Sequence, residues 1–184
     1  MFKIRTRIGC SIKELKNISV SVFNEEWGDV EGFVEVVIGG DRMGYYHENP
    51  LRPNEKGGEW ITWWLSLFLD CANMITKTNY VAFVEPETIG WLEFILCNNI
   101  VIFSNAIEVG SESLPGLSVY EKPECFSYRE PKDIEINLND FLQEIYRAAE
   151  SFLDELKSIN PQLMESEVIK RILELYEKRH HIAQ

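Results

Sequence analysis

The chain contains few residues whose type and spacing could support catalysis. His47 lies in the stretch Gly44–Glu48 and is the one histidine placed to transfer protons, with Glu48 or another carboxylate to orient its ring. A histidine at the end of a strand is more often structural, because acid–base catalysis needs partners that the sequence does not place. An enzyme or small-ligand protein with a pocket near His47, between the sheet and the Trp60 helix, therefore stays an alternative.

Other reactive pairs give weaker signals for chemistry. Glu85 and Glu87 flank Pro86, and two carboxylates serve glycoside hydrolysis only when they are held across an apolar cleft, so a solvated turn is the preferred interpretation. The adjacent His180 and His181 do not share a helix face and make a poor metal pair. The sequence also has no phosphate-binding glycine loop. We predict no catalytic residue, no metal site and no cofactor.

The charge of the chain is unevenly distributed. Residues 1–20 carry five basic side chains and one acid, a net +4, which leaves −16 for the rest of a chain whose formal charge is −12. Lys and Arg are absent between Lys77 and Lys122. Such an acidic field argues against nucleic acid and anionic membrane as partners and favours a basic protein or a cationic ligand. Acidity that serves solubility alone is the competing interpretation.

Cysteine usage and hydropathy predict a cytoplasmic protein. The four cysteines are widely spaced without a Cys-x-x-Cys pair, which favours free thiols in a reducing compartment: Cys10, Cys71, Cys97 and Cys125. Met1–Cys10 lacks the apolar run of a signal peptide, and no window has the length of a membrane span. The oligomeric state is left open.

Two groups of acids are candidates for partner binding. The first surrounds Trp27 in a stretch that we interpret as a loop, and an aromatic anchor among acids is typical of a binding hot spot for a basic partner. Its members are Glu25, Glu26, Trp27, Asp29 and Glu31. The second group follows in the interval without bases and comprises Glu85, Glu87, Glu108 and Glu112. The remaining tryptophans, Trp60, Trp63, Trp64 and Trp91, lie in periodic apolar segments and are interpreted as core.

These residues depend on elements that the hydrophobic pattern predicts. We expect strands within residues 2–48, with Ile18–Phe23 as one of them and a hairpin turn at Gly39-Gly40-Asp41. A Trp-rich helix over about 59–76 is apolar on most sides and should be buried on most sides. A strand meander follows over 79–105 and 117–128, then helices over about 139–158 and 161–179.

The pattern predicts an α+β fold in a single domain spanning residues 1–184. A mainly antiparallel sheet is packed by the central Trp-rich helix, and the two C-terminal helices form an antiparallel pair. Sequential strands joined by hairpins, with helices segregated from them, distinguish this class from a doubly wound parallel sheet.

The layout of motifs is similar to that of a known group of families. The stretches concerned are Tyr45-Tyr46-His47-Glu48-Asn49, Asn54-Glu55, Trp60-Ile61-Thr62-Trp63-Trp64, Tyr80–Glu85, Trp91–Phe94, Phe152-Leu153 and Asn160-Pro161. Over roughly residues 18–175 the arrangement resembles small α+β immunity proteins of bacterial polymorphic-toxin and contact-dependent-inhibition systems. The resemblance implies a cytosolic acidic protein that binds a cognate toxin domain, often a basic nuclease, and neutralises it without catalytic residues of its own. A structural or scaffolding domain is the third hypothesis, and an even scatter of acids over the surface would favour it.

Overall fold

Two antiparallel sheets and a helix that contacts both of them form the frame of the protein. The structure is a computed structural model that describes residues 1–9, 12–53, 55–86, 88–110 and 114–181. The first sheet contains β1 (Phe2–Ile8), β2 (Glu31–Ile38) and β3 (Asp41–Tyr45) in that order, and β4 (Glu59–Trp60) pairs with the start of β2. Gly39 and Gly40 make the β2–β3 turn with φ of 66° and 121°, as predicted for this hairpin.

The second sheet is the predicted meander, with one strand longer than expected. Its order is β8-β5-β6-β7-β9, built from β5 (Tyr80–Val84), β6 (Gly90–Cys97), β7 (Ile100–Glu108), β8 (Ser118–Val119) and β9 (Phe126–Asn137). The prediction ended this region at residue 128, whereas β9 continues to Asn137. The sequence pattern did not predict this part of the strand because its residues are mostly polar. The strand pairs with β7, and the pairing register shifts between Phe103 and Asn105.

Helix α3 (Ile61–Thr78) is the centre of the core, as its apolar residues on nearly all sides require. It packs against β2, β5 and β6, and two later helices cover it, α4 (Leu138–Ile159) and α5 (Glu167–Glu177). Edge-to-face and stacked aromatic rings join the helix to the second sheet, among them Phe68, Phe83 and Phe94 at centroid separations of 5.1–6.3 Å. The α+β class and the central Trp-rich helix are thereby confirmed.

The C-terminal helices differ in packing from the prediction. The predicted helix over 161–179 begins as a 3₁₀ turn, Pro161–Glu165, which separates α4 from α5. Only α5 is α-helical, and a second 3₁₀ turn, Lys178–His181, follows it. The α5 helix packs mainly on α3 and only lightly on α4. The side chain of Asn160 caps the 3₁₀ turn, and that of Asn137 caps α4.

The segment between β1 and β2 corrects the predicted strand over Ile18–Phe23. It contains two short helices, α1 (Ile12–Leu15) and α2 (Val20–Val22), followed by a single π-helical turn, Phe23–Trp27. The β-branched alternation was misleading because these valines are not buried in any sheet, and the Ser19 hydroxyl instead accepts the Val22 N–H at 3.4 Å. Trp27 therefore belongs to a helical turn, and the predicted loop begins only at Gly28.

Three of the four cysteines, Cys71, Cys97 and Cys125, are free thiols, and Cys10 lies outside the described residues. Among the described helices none is long and apolar enough to cross a membrane.

Candidate functional site

The helical segment that carries Trp27 is held by polar contacts to the C-terminal part of the chain. The Asn160 side-chain amide donates to the carbonyl oxygens of Leu15 and Ile18 at 2.8 and 3.0 Å. Asn24 accepts the Glu167 N–H at the start of α5, at 3.2 Å. Phe23 is fully buried beneath the turn. These contacts give the Trp27 segment a fixed position on the core, although it belongs to neither sheet.

Asp29 links this segment to the start of α3. One oxygen of its carboxylate, Oδ1, accepts the backbone N–H groups of Val30 at 2.6 Å and Thr62 at 3.1 Å. Thr62 lies in the first turn of α3, where backbone N–H groups lack helical partners, so Asp29 caps the helix from a distance in sequence. Burial raises the pKa of Asp29, and its hydrogen bonds to Thr62, Val30 and Trp63 oppose that rise.

Three of the four predicted acids around Trp27 line one surface depression, which we call the Trp27 groove, and Glu25 does not line it. It has a volume of about 290 Å³ and is lined by Glu26, Trp27, Asp29, Glu31, Lys56 and Trp60. Glu25 and Glu26 are exposed, and neither has an ion pair or hydrogen bond among the described residues. Glu31 forms an ion pair with Lys56 at 3.3 Å. Three carboxylates thus line the groove beside one lysine, which is already paired.

Two indole rings belong to the same groove. Trp27 is half-buried and packs on the core, with its ring 6.3 Å from that of Phe23. Trp60 is 38% exposed, so its interpretation as a core residue is wrong. Its backbone pairs with Glu31, which places Trp60 at the edge of the first sheet rather than inside α3. Trp64 and Trp91 are buried as predicted, and Trp63 is half-buried.

In the second predicted group of acids, the two members that the structure describes, Glu85 and Glu108, have partners within the fold. Glu85 pairs with Arg129 at 3.3 Å and accepts the Thr88 hydroxyl at 2.8 Å, and its side chain is 12% exposed. Glu108 accepts the Leu114 N–H at 2.8 Å, which joins the residues before β8 to the end of β7. Glu87 and Glu112 lie outside the described residues. Neither of the two described members lines the Trp27 groove.

His47 does not lie where the alternative hypothesis placed it. Its ring packs on Phe33 at 4.9 Å, on the face of the first sheet that points away from α3, so a pocket that uses His47 between sheet and helix is wrong. The carboxylate of Glu55, rather than Glu48, holds its Nε2 at 2.9 Å. Hydrogen bonding from the Arg52 N–H, and then from His47, lowers the pKa of Glu55.

The basic N-terminal strand occupies this same outer face. Arg5 and Arg42 lie 3.5 and 2.9 Å from the buried carboxylate of Glu35, and Arg7 donates to the carbonyl oxygen of His47 at 2.7 Å. These arginines make internal contacts on the outer face of the first sheet, and none of them lines the Trp27 groove.

A larger cavity adjoins the groove, and we call it the Asp70 cavity. It has a volume of about 500 Å³ and lies between α3, the segment 117–120 and α5, with Asp29 common to its wall and to the groove. Thr62, Ser66 and Asp70 line it from successive turns of α3, and Asp70 accepts the Tyr120 hydroxyl at 2.6 Å. Burial and Asp70 together raise the pKa of Tyr120 to about 12.

The sequence analysis did not predict the cavity, although the sequence contains a pattern that indicates it. Polar residues spaced four apart in the most apolar stretch of the chain, at 62, 66 and 70, mark one polar stripe on an otherwise apolar helix. Arg171, which faces them from α5, gave no comparable signal, because the packing of α5 on α3 is a tertiary contact. No group of His, Cys, Asp and Glu suited to a metal ion occurs within the described part of the chain.

In comparisons with known proteins, the chain matches no family model, no curated protein and no solved structure.

Proposed function

We propose that this chain is a binding protein that neutralises a basic toxin domain, in the manner of the immunity proteins that its motif layout resembles. The observation that supports the proposal best is the Trp27 groove, which two indole rings and three carboxylates line. One of these carboxylates, that of Glu26, has no partner among the described residues, and neither has the adjacent Glu25, which lies outside the lining. A cytoplasmic location, expected from the cysteines, belongs to the same proposal.

The chemistry of the groove suits lysine and arginine side chains. A guanidinium or ammonium group near an indole face gains cation–π attraction, and a carboxylate beside it adds a charge-assisted hydrogen bond. Glu26 and Trp27 offer this combination within one lining. The internal cation of the groove, Lys56, is already paired with Glu31 and does not cancel the field of Glu25 and Glu26.

The groove is also prepared for binding before a partner arrives. Asp29 fixes the start of α3, Asn24 fixes the start of α5, and Gly28 closes the π-helical turn with its N–H on the Phe23 carbonyl at 2.8 Å. A surface that is already ordered loses less conformational entropy on association. The free acids would in addition steer a basic partner, with association rate constants up to ~10⁸–10⁹ M⁻¹s⁻¹ at low salt.

Neutralisation would follow from occupation of a basic surface of the toxin. An acidic groove imitates the charge of a nucleic acid, so a nuclease domain that is held here has its substrate surface covered. No group of the inhibitor needs to react in this mechanism. The scaffolding hypothesis stays the second candidate, because exposed acids without an ion pair among the described residues also lie away from Trp27, for example Glu121 and Glu124.

Co-expression tests the proposal. The partner to test is a variable C-terminal domain of a large protein, where the genome encodes such a protein beside this gene. We expect the wild-type chain to restore growth of cells that express the domain, and the double variant Glu25→Lys/Glu26→Lys to fail. Both positions are exposed, so the variant should fold as the wild type does.

The matched control is Glu121→Lys/Glu124→Lys, which changes the net charge equally at exposed sites outside the groove. It should protect cells as the wild type does. Equal protection and equal affinity of all three proteins would overturn the assignment of the groove. Absence of binding to the domain by the wild type would overturn the proposed function.

A further inference from the structure

The Asp70 cavity holds hydrogen-bonding groups that the fold does not use. The indole Nε1–H of Trp63 is buried and has no acceptor among the described residues. A buried donor without a partner costs about 1–3 kcal/mol, so such a group calls for an acceptor that enters from outside the chain.

Arg171 supplies the second unused donor. Its guanidinium reaches the cavity from α5, its side chain is exposed, and within the described chain it takes part in no ion pair or hydrogen bond. Arginine presents a planar fork of N–H groups that matches a carboxylate. Trp63 on α3 and Arg171 on α5, together with the Thr62 hydroxyl, which is also buried without a partner among the described residues, therefore favour an anionic group of a ligand.

The opposite charge is available in the same cavity. The Oδ2 atom of Asp70 accepts the Tyr120 hydroxyl at 2.6 Å, whereas its Oδ1 atom accepts no hydrogen bond from the described residues. Asp29 adds a second carboxylate to the wall. Leu67, Leu117 and Val168 contribute apolar surface between these polar groups.

We propose that the Asp70 cavity binds a small zwitterion, a free α-amino acid. Its carboxylate accepts from Arg171 and from the Trp63 N–H, its ammonium group donates to Asp70, and its side chain rests on the apolar wall. The volume of about 500 Å³ lies within the usual range of small-molecule sites and exceeds what a single amino acid needs. This proposal goes beyond the inhibitor function and does not depend on it, since Glu25 and Glu26 do not line the cavity.

Thermal unfolding with a panel of the standard α-amino acids tests the site, because a ligand of the folded state raises Tm by mass action. At least one amino acid should raise Tm and should shift the Trp63 indole resonance in a ¹H–¹⁵N spectrum, which the Trp63→Phe variant identifies. The amide of that amino acid, which lacks the carboxylate, and its N-acetyl form, which lacks the ammonium, should both bind about tenfold more weakly or worse.

Variants of residues that line the cavity distinguish binding in the cavity from binding elsewhere on the protein. Arg171→Gln and Asp70→Asn should each weaken the selected amino acid by about tenfold, whereas Lys170→Gln, one residue away on α5 and outside the cavity lining, should not. Arg171 has no internal partner, so its variant should keep the wild-type Tm without ligand. The proposal is overturned if no amino acid raises Tm, if the amide and N-acetyl forms bind as well as the amino acid, or if Arg171→Gln binds unchanged.

Discussion

The acids around Trp27 and the acids of the second sheet differ in what they contact. In the second sheet Glu85 pairs with Arg129, Glu108 holds a backbone N–H, and Glu93, only 1% exposed, accepts the hydroxyls of Tyr80 and Tyr128 at 2.9 and 3.0 Å. Beside Trp27, Glu25 and Glu26 have no such partner among the described residues. Acids that look alike in the sequence can therefore have two roles. They stabilise the fold where it supplies hydrogen-bond donors, and they remain available to a partner where it does not.

The difference has a physical origin in the elements themselves. The strand β6 lies between β5 and β7, so a carboxylate on it must be satisfied by neighbouring side chains, here two tyrosines and the more distant Lys122 at 3.9 Å. The π-helical turn that carries Glu25 and Glu26 stands at the surface, where water satisfies them. The first arrangement stabilises the fold, and the second leaves charge free for a partner.

We expect the largest loss of stability among the acids of the two regions on substitution of Glu93. In the Glu93→Ala variant the Tyr80 hydroxyl, on a residue that is 7% exposed, loses its acceptor, and so does that of Tyr128. We expect a loss of about 3 kcal/mol in the free energy of unfolding, measured in urea. The comparison variant Glu26→Ala should change it by less than about 0.5 kcal/mol. Equal losses for the two variants would remove the contrast between the regions.

Asp29 combines the two roles, because it lines the groove and its carboxylate also caps α3. The Asp29→Ala variant loses the acceptor for the Val30 and Thr62 N–H groups and should cost about 1 kcal/mol of unfolding free energy. Asp29→Asn keeps an oxygen at this position and should cost less, as urea denaturation would show. A cost for the asparagine variant as large as that for alanine would mean that the charge, rather than the hydrogen bonds, supports the helix.

The fold was largely predictable because its signals are local and periodic. The spacing of apolar residues gave α3 and α4 to within about two residues, and Gly39-Gly40 gave the hairpin. Two elements escaped for physical reasons. The valines before Phe23 have β propensity, but no strand is available to pair with them, and β9 has a polar composition that depends on β7 for its order.

The groove was predictable in part. Glu26, Trp27, Asp29 and Glu31 are close in sequence, so any ordered turn keeps them together, and the structure brings all four to one lining. Trp60 and Lys56 arrive there because β4 pairs with the start of β2, a contact that no local pattern encodes. In the second group, the two described glutamates have partners inside the fold: Glu85 contacts Arg129, which is distant in sequence, and Glu108 accepts the nearby Leu114 N–H.

A smaller effect, on the pH dependence of stability, follows from the buried position of Asp29. Burial raises its pKa above the usual 3.8, so just above that pH the folded protein keeps a proton that the unfolded chain releases. The contribution of Asp29 to the unfolding free energy therefore falls as the pH rises from 3.8 through the raised pKa. Relative to Asp29→Asn, the wild type should be most stable at the acidic end of this window. A difference that grows with pH would contradict the assigned sign.

The most direct test of the Trp27 groove is the salt dependence of association with the toxin domain, followed by stopped-flow fluorescence. The wild type, Glu25→Gln/Glu26→Gln and the control Glu121→Gln/Glu124→Gln are compared at low and high ionic strength. If the groove steers the partner, the first variant associates several-fold more slowly than the control at low salt, and the three rates converge at high salt because the charges are screened. Equal association rates for the two variants at low salt would contradict the account.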